Sequence, residues 1–231
     1  PDGVGTTIPL VVANMTAVSG RRMAETVARR GAIAVLPQDI PIHAVTETID
    51  YVKAAHPIYE SPVTVSADAP VAAALALLGK RAHQAAVVVD PDRHPVGVVT
   101  DGDLRNVDRF ATVGHVMSTE LFTVGPDADL DSVFDGLAKQ HLGLAPVVAD
   151  GQLQGVLTRK GILRSAIYSP ALDAQGRLRI GTAIGINGDV AAKAKAMLES
   201  GADVLVVDTA HGHQDKMIDA LSVVKATRDA H

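Results

Sequence analysis

The feature that most constrains this chain is an internal repeat in its middle. Thr64-Val65-Ser66-Ala67-Asp68-Ala69-Pro70-Val71 returns as Thr123-Val124-Gly125-Pro126-Asp127-Ala128-Asp129-Leu130. An apolar helical stretch follows each copy, with Leu75 and Leu78 answering to Phe134 and Leu137. Next comes a strand-like run, Ala86-Val87-Val88-Val89 against Ala145-Pro146-Val147-Val148, and after a turn Gly97-Val98-Val99-Thr100 against Gly155-Val156-Leu157-Thr158. The offset is 59 residues and shortens to 58 across the turn. Each copy therefore reads strand, helix, strand, strand, helix, and two such copies are expected to bury one another's apolar faces.

The flanking stretches follow a different grammar. Ile8-Pro9-Leu10-Val11-Val12-Ala13 is a short apolar run, as expected of a parallel strand covered on both faces. Ser19 is placed to cap a helix through Met23, Ala24, Val27 and Ala28, with Gly31 as its stop. Residues 32–36 read as a second strand, and Pro41 opens a helix with Ile42, Val45, Ile49 and Val52 at helical spacing. After the repeat, residues 179–185 read as a strand, 190–200 as an alanine-rich helix ended by Gly201, and 203–208 as another buried strand. A further helix begins at Ile218. Strand and helix in alternation predict a parallel α/β fold, interrupted by the repeat.

Composition narrows the function. Apolar residues make up 47% and charged residues 20%, enough for a sizeable core. A net charge of -5, with only three Tyr and three Phe for stacking, argues against nucleic acid as a partner. No apolar run approaches the roughly 20 residues that span a bilayer, and nothing at the start reads as a signal peptide, so no membrane partner and a cytoplasmic location are expected. With no Cys there is no disulfide, thiolate metal site or cysteine nucleophile.

The two repeats resemble a pair of cystathionine-β-synthase (CBS) motifs, together a Bateman module. The resemblance implies that the Thr ending the last strand contacts a nucleotide phosphate and that an Asp three residues later holds the ribose diol. An ionised carboxylate only accepts hydrogen bonds, which suits two hydroxyl donors. Copy one carries the pattern as Thr100-Asp101-Gly102-Asp103. In copy two, Thr158-Arg159-Lys160-Gly161, glycine replaces the carboxylate, leaving Thr158 with Arg159, Lys160 and Arg164 as phosphate candidates. ATP or GTP is the implied ligand. The alternative is that Thr100 and Thr158 simply cap helices, with Asp103 stabilising a helix N-terminus.

The flanks resemble the catalytic barrel of the IMP dehydrogenase and GMP reductase family, in Thr7 to Met15, Gly31 to Pro37, Ile180 to Gly185 and Ala202 to His213. The implied fold is part of a (β/α)8 TIM barrel interrupted by a tandem CBS α+β domain. The expected boundaries are 1–58 for the first barrel part, 59–169 for the module (copies 59–112 and 113–169) and 170–231 for the continued barrel. Asp208 follows four apolar residues at a strand end, where barrel sites lie. By resemblance it holds the ribose nearest the nicotinamide of NADPH or NAD, with Thr209, Ala210 and His211 lining the cofactor. Asn14 and Met15 match the segment beside the purine of the nucleotide substrate. The alternatives are core packing for Met15 and a helix cap or Asx turn for Asp208.

Two segments depart from the dehydrogenase pattern. Asn14-Met15-Thr16-Ala17-Val18 is nearer the GMP reductases, and Leu36-Pro37-Gln38-Asp39 stands where a basic segment is usual. They point to a divergent, actinobacterial-type branch, a GMP reductase carrying a Bateman module, with IMP dehydrogenase as the alternative. Family chemistry uses a cysteine that attacks the purine, and only about four of eight barrel strands are present. The chain is therefore expected to be part of a longer polypeptide, inactive alone, whose homo-tetramers or octamers respond to nucleotides. A monovalent cation would bind outside these residues. Rival readings are a non-catalytic nucleotide sensor and a metal hydrolase using His211-Gly212-His213. The other histidines (His43, His56, His83, His94, His115, His141 and His231) form no second pair of that kind, and no metal is expected.

Overall fold

Residues 4–79 and 84–231 are described by a computed structural model. The opening Pro1-Asp2-Gly3 and His83 lie outside the described residues. The chain divides into two units, Pro1–Pro57 with Ser165–His231, and Ile58–Arg164.

In chain order, the first unit begins with β1 (Val11–Val12), α1 (Arg21–Ala28), β2 (Ile33–Leu36) and α2 (Ile42–Ala54). The second holds β3 (Thr64–Ser66), α3 (Val71–Leu78), β4 (Ala85–Val89), β5 (Pro95–Thr100) and α4 (Asp101–Leu104). It continues with α5 (Leu130–Lys139), β6 (Leu144–Ala149), β7 (Gln152–Thr158) and α6 (Arg159–Ile167), which runs past its boundary. The first unit resumes with β8 (Gly181–Gly185), α7 (Val190–Glu199), β9 (Val204–Asp208) and α8 (Asp215–Asp229).

The first unit is a four-stranded sheet in the order β1-β2-β8-β9, parallel throughout. Ala34 and Leu36 of β2 and Ile184 of β8 face a core with Val45, Ile49 and Val52 of α2 and Ala194 and Met197 of α7. The helical spacing of those α2 residues is what lays one apolar stripe on the strands. Helix α1 stops in a turn where the Ala32 N–H donates to Val27 and the Gly31 N–H to Ala28, with Gly31 at φ +88. That left-handed position is where a residue without Cβ is favoured.

Three expectations are corrected. The strand expected over residues 8–13 is only Val11–Val12, and Val11 is 63% exposed rather than buried. It pairs on one side only, with β2, so among the described residues it is a sheet edge. Strand β9 is half-buried for the same reason. Ser19 does not cap α1: Gly20 holds that position, while the Ser19 hydroxyl is buried without a hydrogen-bond partner among the described residues.

At the N-terminal edge of the sheet, Lys53 Nζ donates to Asp173 Oδ2 (2.9 Å) and Asp203 Oδ2 (2.8 Å). All three side chains are nearly buried. Burial pushes the Asp173 carboxyl up, but the Lys53 ammonium and the Arg177 backbone and side chain outweigh it and hold it at about 2. This triad ties α2, the hairpin closed by Leu172 and Leu178, and the entry to β9.

The second unit displays the repeat in its register. Val65 pairs with Val88 in copy one, and Val124 with Val147 in copy two. Ala85 faces Thr100 as Leu144 faces Thr158, and both ladders are irregular at the same place, Val88/Val89 and Val147/Val148. The first strand of copy two is reduced to an isolated bridge at Val124, correcting the expected equivalence with β3. Each copy has its own core, and Ala85 and Val87 meet Leu144, Leu153 and Val156 in a third. The copies thus bury one another through the alternate face of β4.

The segment before each copy pairs with the other copy: Ser118 bridges Val98 of β5, and Glu60 bridges Val156 of β7. This explains the repeated glycines. A Cβ at Gly97 would lie 2.5 Å from Met117 Sδ, and one at Gly155 would collide with Tyr59 and lie 3.1 Å from the Glu60 carbonyl oxygen.

Candidate functional site

Parallel strands bring their C-terminal ends to one edge, so the residues following β1, β2, β8 and β9 form one rim. Asp208 ends β9, directly paired with Gly185 at the end of β8. Its Oδ2 accepts a hydrogen bond from Asn14 Nδ2 (2.7 Å), beyond β1, and another from Gln38 Nε2 (2.9 Å), beyond β2. These partners come from two other strands, so Asp208 forms neither the helix cap nor the Asx turn weighed above. The adjacent α8 has Gln214 at its N-cap position, with no side-chain cap.

Gln214 instead orders the loop after β9, donating from Nε2 to Thr209 Oγ1 (3.0 Å) and to the His211 carbonyl (2.7 Å). Ala210 and His211 are exposed. Met15 is 59% exposed, so it is not core packing in this chain. The β1 and β2 loops are joined a second time, by Thr16 Oγ1 donating to the Asp39 carboxylate (2.8 Å to Oδ2). Asn14 and Asp208, assigned by sequence to different ligands, are therefore hydrogen-bonded to each other. Gln38 was missed as a site residue, and its one signal was the departure of Pro37-Gln38-Asp39 from the family pattern.

The rim fits a ribose. A carboxylate with one oxygen supplied with two amide donors keeps acceptor capacity on the other, which suits a diol. Beside it the loop runs on through half-buried Thr209 to exposed Ala210 and His211.

In the second unit a cavity of about 450 Å³ is lined by Thr100 and Asp103 from copy one, by Glu120 and Leu121, and by His141 and Leu144 from copy two. Thr100 caps α4: its hydroxyl accepts from the Asp103 N–H (3.3 Å), and Asp103 Oδ2 accepts from the Thr100 N–H and hydroxyl (2.8 Å each). This capping box is the alternative reading realised, and the same two side chains also face the cavity. Copy two differs. Thr158 is 7% exposed and accepts from the Gly161 N–H (2.9 Å). Arg159 stacks over Phe134 at 5.3 Å, Lys160 is exposed, and a Cβ on Gly161 would lie 3.0 Å from Glu60 Oε1. Glu60, paired with Arg164 at 3.4 Å, thus lies against Gly161, the residue that stands where copy one has Asp103.

His211 and His213 are exposed on the β9 loop. Among the described residues, the group with three converging metal-ligand atoms is instead Asp90, Asp92 and His94. There Asp90 already accepts from the His94 ring and backbone, and the side-chain bond holds its carboxyl below the usual range. No helix of the described residues is long and apolar enough to cross a membrane.

Polar residues converging just beyond the C-terminal ends of parallel strands occupy the place where α/β folds, open sheets and barrels alike, build their sites. Residues 2–230 match the family model described as IMP dehydrogenase / GMP reductase domain, and the chain belongs to that family. It is 53% identical over 226 residues to a GMP reductase of Mycobacterium tuberculosis, covering 97% of this chain and 47% of that protein. It is 34% identical over 221 residues to an inosine-5'-monophosphate dehydrogenase of Nitrosopumilus maritimus, covering 94% and 46%. Among solved structures, the GMP reductase from Trypanosoma brucei in complex with guanosine 5'-triphosphate aligns with a TM-score of 0.67 at 30% identity, over 97% of this chain and 56% of that one. A variant of that enzyme in complex with guanosine 5'-monophosphate gives 0.67 at 29%, over 95% and 48%. The chain spans about half the length of the curated relatives it matches.

Proposed function

We propose that this chain belongs to a GMP reductase, converting GMP, NADPH and a proton to IMP, NADP+ and ammonia. The observation that carries the reading is the gap between 53% identity to a GMP reductase and 34% to a dehydrogenase. The dinucleotide supplies a hydride when bound. Asp208 accepts hydrogen bonds from its ribose, Thr209, Ala210 and His211 line it, and Asn14 and Met15 sit beside the purine. The nucleophilic cysteine would come from polypeptide beyond these residues, which would also bind the monovalent cation, and the four-stranded sheet is part of a TIM barrel.

The second unit is a Bateman module, and the cavity at Thr100 and Asp103 is its working nucleotide site, for ATP or GTP. In copy two the buried Thr158 hydroxyl and the Glu60–Arg164 pair argue for a closed site, with Arg159 and Lys160 left at its surface. Nucleotide occupancy would shift an assembly of tetramers and octamers in the cytoplasm.

The test is initial rates of the full-length polypeptide with GMP plus NADPH and with IMP plus NAD. Turnover of the first pair, releasing ammonia, is expected. Turnover of the second pair alone would overturn the reading in favour of a dehydrogenase, and nucleotide binding with neither turnover would favour a sensor.

A further inference from the structure

The two segments that depart from the dehydrogenase pattern, Asn14-Met15-Thr16 and Pro37-Gln38-Asp39, touch each other in the folded chain. Thr16 donates to Asp39, and Asn14 and Gln38 converge on one oxygen of Asp208. Pro37 fixes φ as β2 ends, and the Thr16–Asp39 bond fixes the next residue but one, so the Gln38 backbone is held from both sides. The side chain is oriented as well. A carboxylate accepts only, so the amide must turn Nε2 toward Asp208. Oε1 then lies over Gly185, where a Cβ would collide with it. Gly185 is the residue paired with Asp208 across β8 and β9.

We propose that Gln38 is a positioning residue for the dinucleotide: with Asn14 it occupies Asp208 Oδ2 and aims Oδ1 at the ribose diol, and Gly185 is small to admit it. The proposal rests on the Asp208 reading above. Neither Gln38 nor Gly185 needs to touch the cofactor. Gln38 acts by restricting the carboxylate's rotation and by matching its acceptors with donors, so its loss weakens dinucleotide binding and leaves purine binding alone.

The experiment is fluorescence titration of NADPH, without purine, into the full-length polypeptide and its Gln38→Leu, Gln38→Glu and Gly185→Ala variants, with GMP binding measured alongside. Gln38→Leu and Gly185→Ala should each raise the NADPH Kd about five- to tenfold, and GMP affinity should stay within twofold. Gln38→Glu is isosteric and places a second carboxyl against Asp208, so the pair must share a proton. Its Kd ratio to wild type should therefore be larger at about pH 8 than at about pH 6. Asp39, Asp189, Lys193, His211, His213 and Lys216 on the surrounding loops and helices are common to both proteins, and the ratio removes their shared effect.

Wild-type NADPH affinity in Gln38→Glu at both pH values, with Asp208→Ala weakening it at least tenfold, would overturn the positioning role and leave the Asp208 reading standing. Unchanged affinity in Asp208→Ala would remove that reading and the proposal with it. Equal loss of GMP and NADPH affinity would assign Gln38 to general loop folding and refute the proposal. Because the Glu variant keeps the shape of the side chain, the test survives misfolding of the Leu variant.

Discussion

Replacing Lys53 with Met keeps the aliphatic stem and removes the charge shared by two nearly buried carboxylates. Asp173 Oδ2 and Asp203 Oδ2 lie 2.9 and 2.8 Å from Nζ. Breaking a buried pair by removing one partner costs about 3–5 kcal/mol. The lower end applies here, because each carboxylate keeps other donors. Asp173 retains the Arg177 N–H and guanidinium, and Asp203 Oδ2 retains the Ile180 N–H. A loss of about 3 kcal/mol corresponds to roughly 100-fold faster exchange of the amides that open with this edge. Hydrogen exchange by mass spectrometry over residues 172–184, which include the Arg177 and Ile180 amides, reads it directly.

The pH dependence follows from Asp173, held at about 2 against an ordinary 3.8. A depressed carboxyl contributes stability that is full above its unfolded pKa and lost as pH falls through the folded one. For this residue the contribution is about 1–2 kcal/mol after allowance for solvent. Wild type and variant should therefore differ most near neutral pH, and the difference should narrow between about pH 4 and pH 2. Less than tenfold acceleration at neutral pH, or a difference that persists undiminished at low pH, would refute the electrostatic account of the triad.

Thr182 is fully buried with no partner for Oγ1 among the described residues, so Thr182→Val should stabilise by about 1 kcal/mol, seen as a higher melting temperature. Gly155→Ala drives a methyl into Tyr59 and the Glu60 backbone and should destabilise the second unit by about 1–3 kcal/mol, measured by urea unfolding. Asp103→Asn keeps the shape of the capping side chain and loses the charge. It should cost about 1 kcal/mol of stability and weaken ATP or GTP binding at least tenfold by calorimetry. Lost stability with unchanged nucleotide affinity would leave Asp103 a cap and nothing more.

The α/β order, the stops at Gly31 and Gly201 and the repeat with its shift from 59 to 58 were legible because local pattern controls them: alternation, helical spacing and glycine at positive φ. The repeat even encoded pairing, since a Val65–Val88 ladder implies a Val124–Val147 one. What the pattern could not show is which strand has a neighbour on both sides. Leu10 and Val11 read as buried because apolar runs usually are, yet they lie at an edge and are 47% and 63% exposed. Ser19 was misread because a serine before a helix resembles a cap, whereas the chain turns at Gly20.

Asn14 and Asp208 were visible as separate candidates, 194 residues apart, and only folding makes them one hydrogen-bonded pair. The Lys53 triad left no sequence signal at all: three charged residues separated by 120 and 150 positions look like surface.

The measurement that reaches the central claim most directly is a structure of the full-length polypeptide with GMP and NADPH bound. The account predicts the nicotinamide ribose hydroxyls within hydrogen-bond distance of Asp208 Oδ1, with Oδ2 still held by Asn14 and Gln38. It also predicts the purine beside Met15. A dinucleotide seated away from the C-terminal ends of β1, β2, β8 and β9, or an Asp208 that turns both oxygens to protein donors, would contradict it.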